Sequence, residues 1–214
     1  MSAASDLAAR CVGVAVDQYE ADGTADSRVV LEAPTFVLFA HPVGEGDDFP
    51  AWAARVISVL GGIGGVTAAA MMSEAWYTVV VNPSAADEPP HLEPGELARR
   101  EAAGDTEVKT SLMIAAADGA DTVTRVLRPE VADDGSVTWD DDGGHIMTGR
   151  VPRLVAEALD YSRRVTPPEG KTPIGMLDLG EYAKALHKMS PMLDADITLV
   201  GIVGMDVPED ANHR

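Results

Sequence analysis

Glu74 is the ionisable side chain whose position in the sequence is hardest to explain by packing alone. It lies near the end of the longest apolar stretch of the chain, residues 56–81, between Met72 and Trp76. In an extended strand these three side chains project from the same face. A carboxylate on a buried face needs a partner, because burial penalises its charged form. Two interpretations follow: a structural ion pair on a face that opens to solvent, or a general base or metal ligand.

The two interpretations assign different partners to Glu74. The structural one assigns a cation on a neighbouring strand, Lys109, Arg125 or Arg128. The catalytic one assigns His41, which follows a β-prone segment and precedes a loop, where catalytic residues often lie. A carboxylate and an imidazole in contact can exchange protons with a substrate. Glu74 and His41 are therefore the catalytic candidates for a hydrolase-like reaction.

A second candidate site lies in the acidic segment that follows Trp139. Asp140 and Asp142 offer carboxylate oxygens and His145 offers an imidazole, all of which can bind a cation. The spacing differs from that of an EF-hand, whose ligands alternate and end with a glutamate. The pattern is more typical of an acidic turn, so no metal is predicted, and Asp140, Asp142 and His145 stay as candidates.

The glycine cluster Gly62-Ile-Gly-Gly65 has the composition of a nucleotide-binding turn but not its context. A dinucleotide-binding turn leads from a strand into a helix, whose N-terminus faces the phosphates. Here the glycines lead from a helical pattern into a β-prone one. They are interpreted as a helix cap and tight connection. No cofactor is predicted.

The composition restricts the classes of partner. The chain has 35 acidic and 16 basic residues, a net charge of −19, and such a surface repels nucleic acid and anionic lipid. Glycines interrupt the apolar stretch 56–81 and the carboxylate of Glu74 lies within it, so no membrane span is predicted. Direct binding to nucleic acid or membrane is therefore not expected, although an acidic surface is compatible with mimicry of DNA.

Cysteine usage and the first residues of the chain bear on chemistry and location. Cys11 is the single cysteine, which excludes an intrachain disulfide and a Cys-rich zinc site. It falls on the apolar side of a helical pattern, so a buried, unreactive thiol is predicted. The first ten residues lack the pattern of a secretory signal. The expected location is the cytoplasm, or the virion if the protein is encoded by a phage.

Hydrophobic periodicity predicts alternating helices and strands. Helices are predicted at residues 5–20, 48–60, 151–164 and 178–189, with Ser5 and Asp47 or Asp48 as N-caps. Strands are predicted at residues 28–40 (two pieces divided by Pro34), 66–81 (with a bulge near Ser73-Glu74), 107–117, 122–128, 137–139, 145–147 and 197–203. Residues 82–106 are predicted to form a long exposed loop. The turn residues 118–121 predict that the strands at 107–117 and 122–128 form a hairpin.

These elements predict an α+β fold. The expected architecture is a mostly antiparallel sheet of roughly five or six strands with helices packed on one face, plus a C-terminal helix–strand extension. Residues 1–166 form the predicted core domain. Residues 167–214 form the extension, joined through a proline-rich linker and docking on the core or on a second subunit.

The order of elements over residues 47–128 resembles that of small uncharacterised proteins of phages and bacteria, a resemblance that implies no activity. The leading hypothesis is a non-enzymatic, acidic interaction or accessory protein that binds a protein partner or a second copy of itself, with phage origin as a further hypothesis. The alternatives are a hydrolase-like enzyme, metal-dependent or not, that uses Glu74 with a nearby histidine, and an acidic nucleic-acid mimic.

Overall fold

The computed structural model describes residues 2–34, 36–43, 48–62, 66–80, 106–132, 134–141, 150–164 and 179–201. The helices in this part of the chain are α1 (Ala3–Asp22), α2 (Phe49–Leu60), α3 (Arg150–Arg164) and α4 (Leu179–Leu193). The strands are β1 (Arg28–Ala33), β2 (Phe36–Pro42), β3 (Ala68–Val80), β4 (Thr106–Ala117), β5 (Thr122–Val131), β6 (Val137–Asp141) and β7 (Ala195–Gly201). None of the described helices has both the length and the apolar character needed to cross a membrane.

The strands form one sheet in the order β6-β5-β4-β3-β1-β2-β7. Every neighbouring pair is antiparallel. The first strand lies between β2 and β3, so the chain must pass through β2 and α2 before it returns as β3 to the other side of β1. The α+β class, the antiparallel sheet and the C-terminal helix and strand are confirmed.

Helices cover both faces of the sheet, whereas the sequence analysis placed them on one. The buried side chains of α1 pack on one face, and those of α2, α3 and α4 pack on the other. The reason lies in the centre of the sheet, where the five consecutive residues 68–72 of β3 are all buried. Because successive side chains of a strand point to opposite faces, an uninterrupted apolar run requires cover on both.

Side-chain caps set the N-termini of the first two helices. Ser2, not the predicted Ser5, caps α1, and its Oγ accepts the backbone N–H of Ser5 at 3.3 Å. The predicted cap Asp48 begins α2 and accepts the backbone N–H of Ala51 at 3.0 Å. Both caps satisfy N–H groups that have no partner within the helix.

The long hairpin of β3 and β4 has no bulge. The two strands pair residue by residue from Ala69 with Ala117 to Val80 with Thr106, so the bulge predicted near Ser73-Glu74 is wrong. The other neighbour, β1, pairs with β3 only as far as Met72. Beyond that residue β3 has β4 as its single described neighbour, and its length is accommodated without an inserted residue.

The C-terminal helix and strand dock on the sheet of their own chain. Pairing of β7 with β2 runs from Pro42 with Ala195 to Phe36 with Gly201, and Leu186 and Leu193 belong to the same buried core as residues of α2 and α3. Trp52 Nε1 donates to the carbonyl oxygen of Leu193 at 2.9 Å. The division of the chain into a core of residues 1–166 and an extension of residues 167–214 stays a prediction, because residues 165–178 lie outside the described part.

Asp118 connects the β4–β5 turn to the start of α1. Its Oδ1 accepts the backbone N–H groups of Ala120 at 2.9 Å and Asp121 at 2.8 Å, and its Oδ2 accepts that of Ala4 at 3.1 Å. Hydrogen bonds from the backbone, above all from Asp121, lower the pKa of the Asp118 carboxyl. The predicted hairpin signal at residues 118–121 is confirmed.

We expect Asp118→Ala to lower the free energy of unfolding by about 1 kcal/mol at neutral pH, because three backbone N–H groups lose their acceptor. Since the pKa is lower in the folded state, the stability from the charged carboxylate is fully present above the unfolded pKa of about 4. It is lost as the pH falls through the folded pKa. Urea denaturation at several pH values tests this, with Asp121→Asn as the control. A difference that does not shrink in acid would contradict it.

Candidate functional site

A polar network surrounds Arg28, the first residue of β1. The side chain of Arg28 is 13% exposed and lies 3.5 Å from the Asp26 carboxylate. Its Nη2 donates to Gln18 Oε1 of α1, and Gln18 Nε2 donates to Asp26 Oδ2 at 2.6 Å. The Nε of Arg28 is buried and has no hydrogen-bond partner among the described residues. No local signal in the sequence indicates this network, which joins α1 to β1.

Glu74 is half-buried and lies two residues along β3 beyond the last β1–β3 pair, Met72 with Arg28. Its Oε2 accepts the backbone N–H of Ala25, in the connection from α1 to β1, at 3.4 Å. The carboxylate therefore lies just beyond the part of β3 that pairs with β1. Its hydrogen bond to Ala25 helps to fix the backbone that leads into β1.

The alternation of side chains separates the three cations proposed as partners of Glu74. Pairing places Arg125 opposite Ile114, on the face that α1 covers and that Glu74 shares. Lys109 and Arg128 occupy positions of the other parity and project from the opposite face. An ion pair across the sheet thus depends on Arg125.

His41 lies near the end of β2, beside Arg28 and opposite Asp196 of β7. Burial lowers the pKa of the His41 imidazole and Arg28 lowers it further, while Asp26 and Asp196 act in the other direction. His41 shares its sheet face with Glu74, but β1 separates their strands, a lateral distance of about 10 Å for two strand spacings. The structure thus brings His41 close to Arg28 and Asp196 and does not bring it into contact with Glu74.

The candidate cation site is described only in part. Asp140 lies on β6, and its Oδ2 is 3.6 Å from Nη1 of Arg128 on the paired strand. Asp142 and His145 lie outside the described residues. Within the described ranges, no three or more histidine, cysteine, aspartate or glutamate side chains are grouped so that they could hold a metal ion.

The surroundings of Cys11, Gly61 and Gly62 indicate structural roles for these residues. Cys11 is buried, and desolvation raises the pKa of its thiol to about 12, so the thiolate needed for nucleophilic attack is not populated at neutral pH. Gly61 is the C-cap of α2 and Gly62 follows it, both against Ser162 of α3. The helix ends at this glycine run, as predicted, but its cap is Gly61, one residue before the predicted cluster, and residues 63–65 lie outside the described part.

A second feature without a local sequence signal is the edge of β7, which is free among the described residues. The backbone N–H of Val43 donates to the carbonyl oxygen of Asp194 at 2.8 Å. Because backbone groups in an antiparallel ladder alternate between the two sides of a strand, the even-numbered residues of β7 bond to β2. The N–H and C=O groups of Ala195, Ile197 and Leu199 therefore point away from β2, at the edge of the described sheet.

The two edges of the sheet differ in length and chemistry. At one end β6 has five residues and finishes in two aspartates, Asp140 and Asp141. At the other end β7 has seven residues and contains neither proline nor lysine. Short strands, charges and prolines are the usual protection against strand addition. The β7 edge lacks these features except for Asp196, and the run Ile197-Thr-Leu-Val200 is the sequence signal that identifies the strand but not its position at the edge.

An unprotected edge strand can accept a further strand, because its outward N–H and C=O groups then form a new ladder. The polar network around Arg28 instead fixes the junction of α1 and β1.

Comparison of the chain with known proteins found no matching family model, no matching curated protein and no matching solved structure.

Proposed function

We propose that this protein is a non-enzymatic interaction protein that binds an extended strand of a protein partner, itself included, along the free edge of β7. The observation that supports the proposal most directly is the outward direction of the backbone groups of Ala195, Ile197 and Leu199. An added strand supplies an acceptor and a donor for each. The affinity then comes from the main chain, with the side chains beside the edge providing selectivity.

Apolar side chains beside this edge support the proposal. Ile197 and Leu199 project from the face that carries α4 and are only partly buried. On the opposite face, 48% of Val200 is exposed. Met192, near the end of α4, is 78% exposed. An added strand would cover part of this surface, and the removal of apolar area from water favours binding.

Two alternatives lack a comparable observation. A hydrolase-like reaction would need Glu74 and His41 to converge, and β1 separates them. A nucleic-acid mimic would need carboxylates spaced like phosphates along one face, and several of the described ones, including Asp26, Asp118 and Asp140, are engaged within the chain. Phage origin and a location in the cytoplasm or the virion stay predictions.

We expect the full chain to self-associate as its concentration rises and Ile197→Pro to abolish this association. Proline removes one outward N–H of β7 and leaves the donors to β2 in place. Val137→Pro is the matched control, because it likewise removes an outward N–H, at the first residue of β6 on the other edge. Sedimentation equilibrium gives the mass of each variant, and circular dichroism checks that each is folded. Equal effects of the two prolines would contradict the proposal.

Amide hydrogen exchange of the unaltered chain provides a second measurement. The N–H groups of Thr198 and Val200 bond to β2, so they should be protected at every concentration. Those of Ile197 and Leu199 should exchange rapidly in dilute solution and become protected on association. If the outward amides exchange at the same rate at all concentrations while the mass rises, association occurs elsewhere and the β7 edge is not the binding site.

A further inference from the structure

We infer that the strand added at β7 is β7 of a second copy, paired antiparallel and centred on Thr198. This inference rests on the proposed function and names the partner and its register. Thr198 is the middle residue of the seven-residue strand Ala195–Gly201. A two-fold axis beside it therefore matches the whole of one strand with the whole of the other.

The direction of the backbone groups permits this register. Centring on Thr198 places Ile197 opposite Leu199 of the partner subunit, and Ala195 opposite Gly201 of the partner subunit. These are the odd-numbered residues, whose N–H and C=O groups point outward, so each such pair can exchange two hydrogen bonds. A shift by one residue of a single strand would oppose outward groups to groups already bonded to β2.

The side chains also fit this register. Ile197 and the partner subunit's Leu199 meet on the face that carries α4, where both are partly exposed in the single chain. Asp196 lies opposite the partner subunit's Val200, so the one charged residue of β7 does not face its own copy. A register centred on residue 196 would instead oppose two Asp196 carboxylates, which is unfavourable for a chain of net charge −19.

A two-fold interface at β7 forms a closed assembly. Each strand uses its free edge once, and the two sheets become one continuous sheet whose ends are the short, acidic β6 strands. A contact between β7 of one copy and β6 of the next would continue into a filament. The difference between the two edges therefore favours a dimer.

The test uses opposite charges at the centre of the register. In the full-length chain, Thr198→Glu and Thr198→Lys each place like charges directly opposite each other, at a non-hydrogen-bonded pair whose Cα atoms lie about 4.5 Å apart. Thr198 is exposed and lies on the face away from α4, so both variants should fold. Each variant alone should dissociate at least tenfold more readily than the unaltered chain. An equimolar mixture should recover association as a heterodimer, measured by native mass spectrometry and sedimentation.

Thr138→Glu on the β6 edge is the matched control for net charge, and association should be unchanged. If both Thr198 variants weaken association but the mixture does not recover it, the register centred on Thr198 is wrong. Whether association occurs at the β7 edge at all is tested separately, by Ile197→Pro. If the unaltered chain keeps the mass of one copy at all concentrations, the partner is not a second copy. Equal weakening by Thr138→Glu would assign the effect to net charge and overturn the inference.

Discussion

A chain that ends at Thr166 should lose at least about 4 kcal/mol of its free energy of unfolding, because it lacks α4 and β7. Leu186 and Leu193 are both almost fully buried in the core, and burying a leucine side chain contributes about 1.5–3 kcal/mol. The shortened chain also loses the β2–β7 ladder and the bond from Trp52 to the Leu193 carbonyl. Since domains are stable by about 5–15 kcal/mol, the remainder should be barely folded at room temperature.

A chain that ends at Gly201 is the matched control, because it keeps every described contact of α4 and β7. The two shortened chains should differ in melting temperature and in the midpoint of urea denaturation. The chain ending at Thr166 should also aggregate, because removal of β7 exposes β2 as a new edge that carries Phe36 and Leu38. If it keeps the melting temperature and mass of the full chain, the docking of α4 and β7 contributes nothing to stability.

Local signals in the sequence predicted the elements well. An aspartate followed by proline in the first helical turn marked the start of α2 at Asp48, and Asp118 with Gly119 marked the turn between β4 and β5. These signals depend on side chains bonding to backbone groups only two or three residues away. Ser2 and Ser5 offered the same chemistry at the start of α1, and the serine nearer the N-terminus became the cap.

The order of the strands and the covered faces depend on contacts between distant residues, which local signals do not encode. A stripe of apolar residues shows that α1 needs a surface but not which face supplies it. The consecutive buried alanines of β3 and β4, such as 68–70 and 115–117, are the sequence feature that indicates two covered faces. Because side chains alternate between the two faces of a strand, this feature can be recognised in the sequence alone.

The candidate site shows the same limit. The types of its residues could be identified, since Glu74 and His41 are unusual beside apolar neighbours. Their separation could not, because it depends on β1 lying between β2 and β3. Likewise, the bond of Arg28 to Gln18 requires the packing of α1 against the sheet. The β7 edge is exposed only because of its position at the end of the strand order.

Gly61→Ala should destabilise the protein by about 1–3 kcal/mol, the usual cost of overpacking a buried contact. Gly61 is buried where the end of α2 meets α3, and a Cβ there would lie 2.6 Å from the carbonyl oxygen of Ile57 and 2.7 Å from Ser162 Oγ. The Ser162 hydroxyl is itself held by a bond to the Leu159 carbonyl oxygen at 2.6 Å, so it cannot turn away without losing that partner. Gly13→Ala provides the opposite expectation: Gly13 lies within α1 with nothing within 4 Å of its added Cβ, and alanine should stabilise a helix interior by roughly 0.5–1 kcal/mol. Urea denaturation of both variants separates the close approach of two helices from the general helix preference for alanine. Stabilisation by both substitutions would show that α2 and α3 are not in close contact at Gly61.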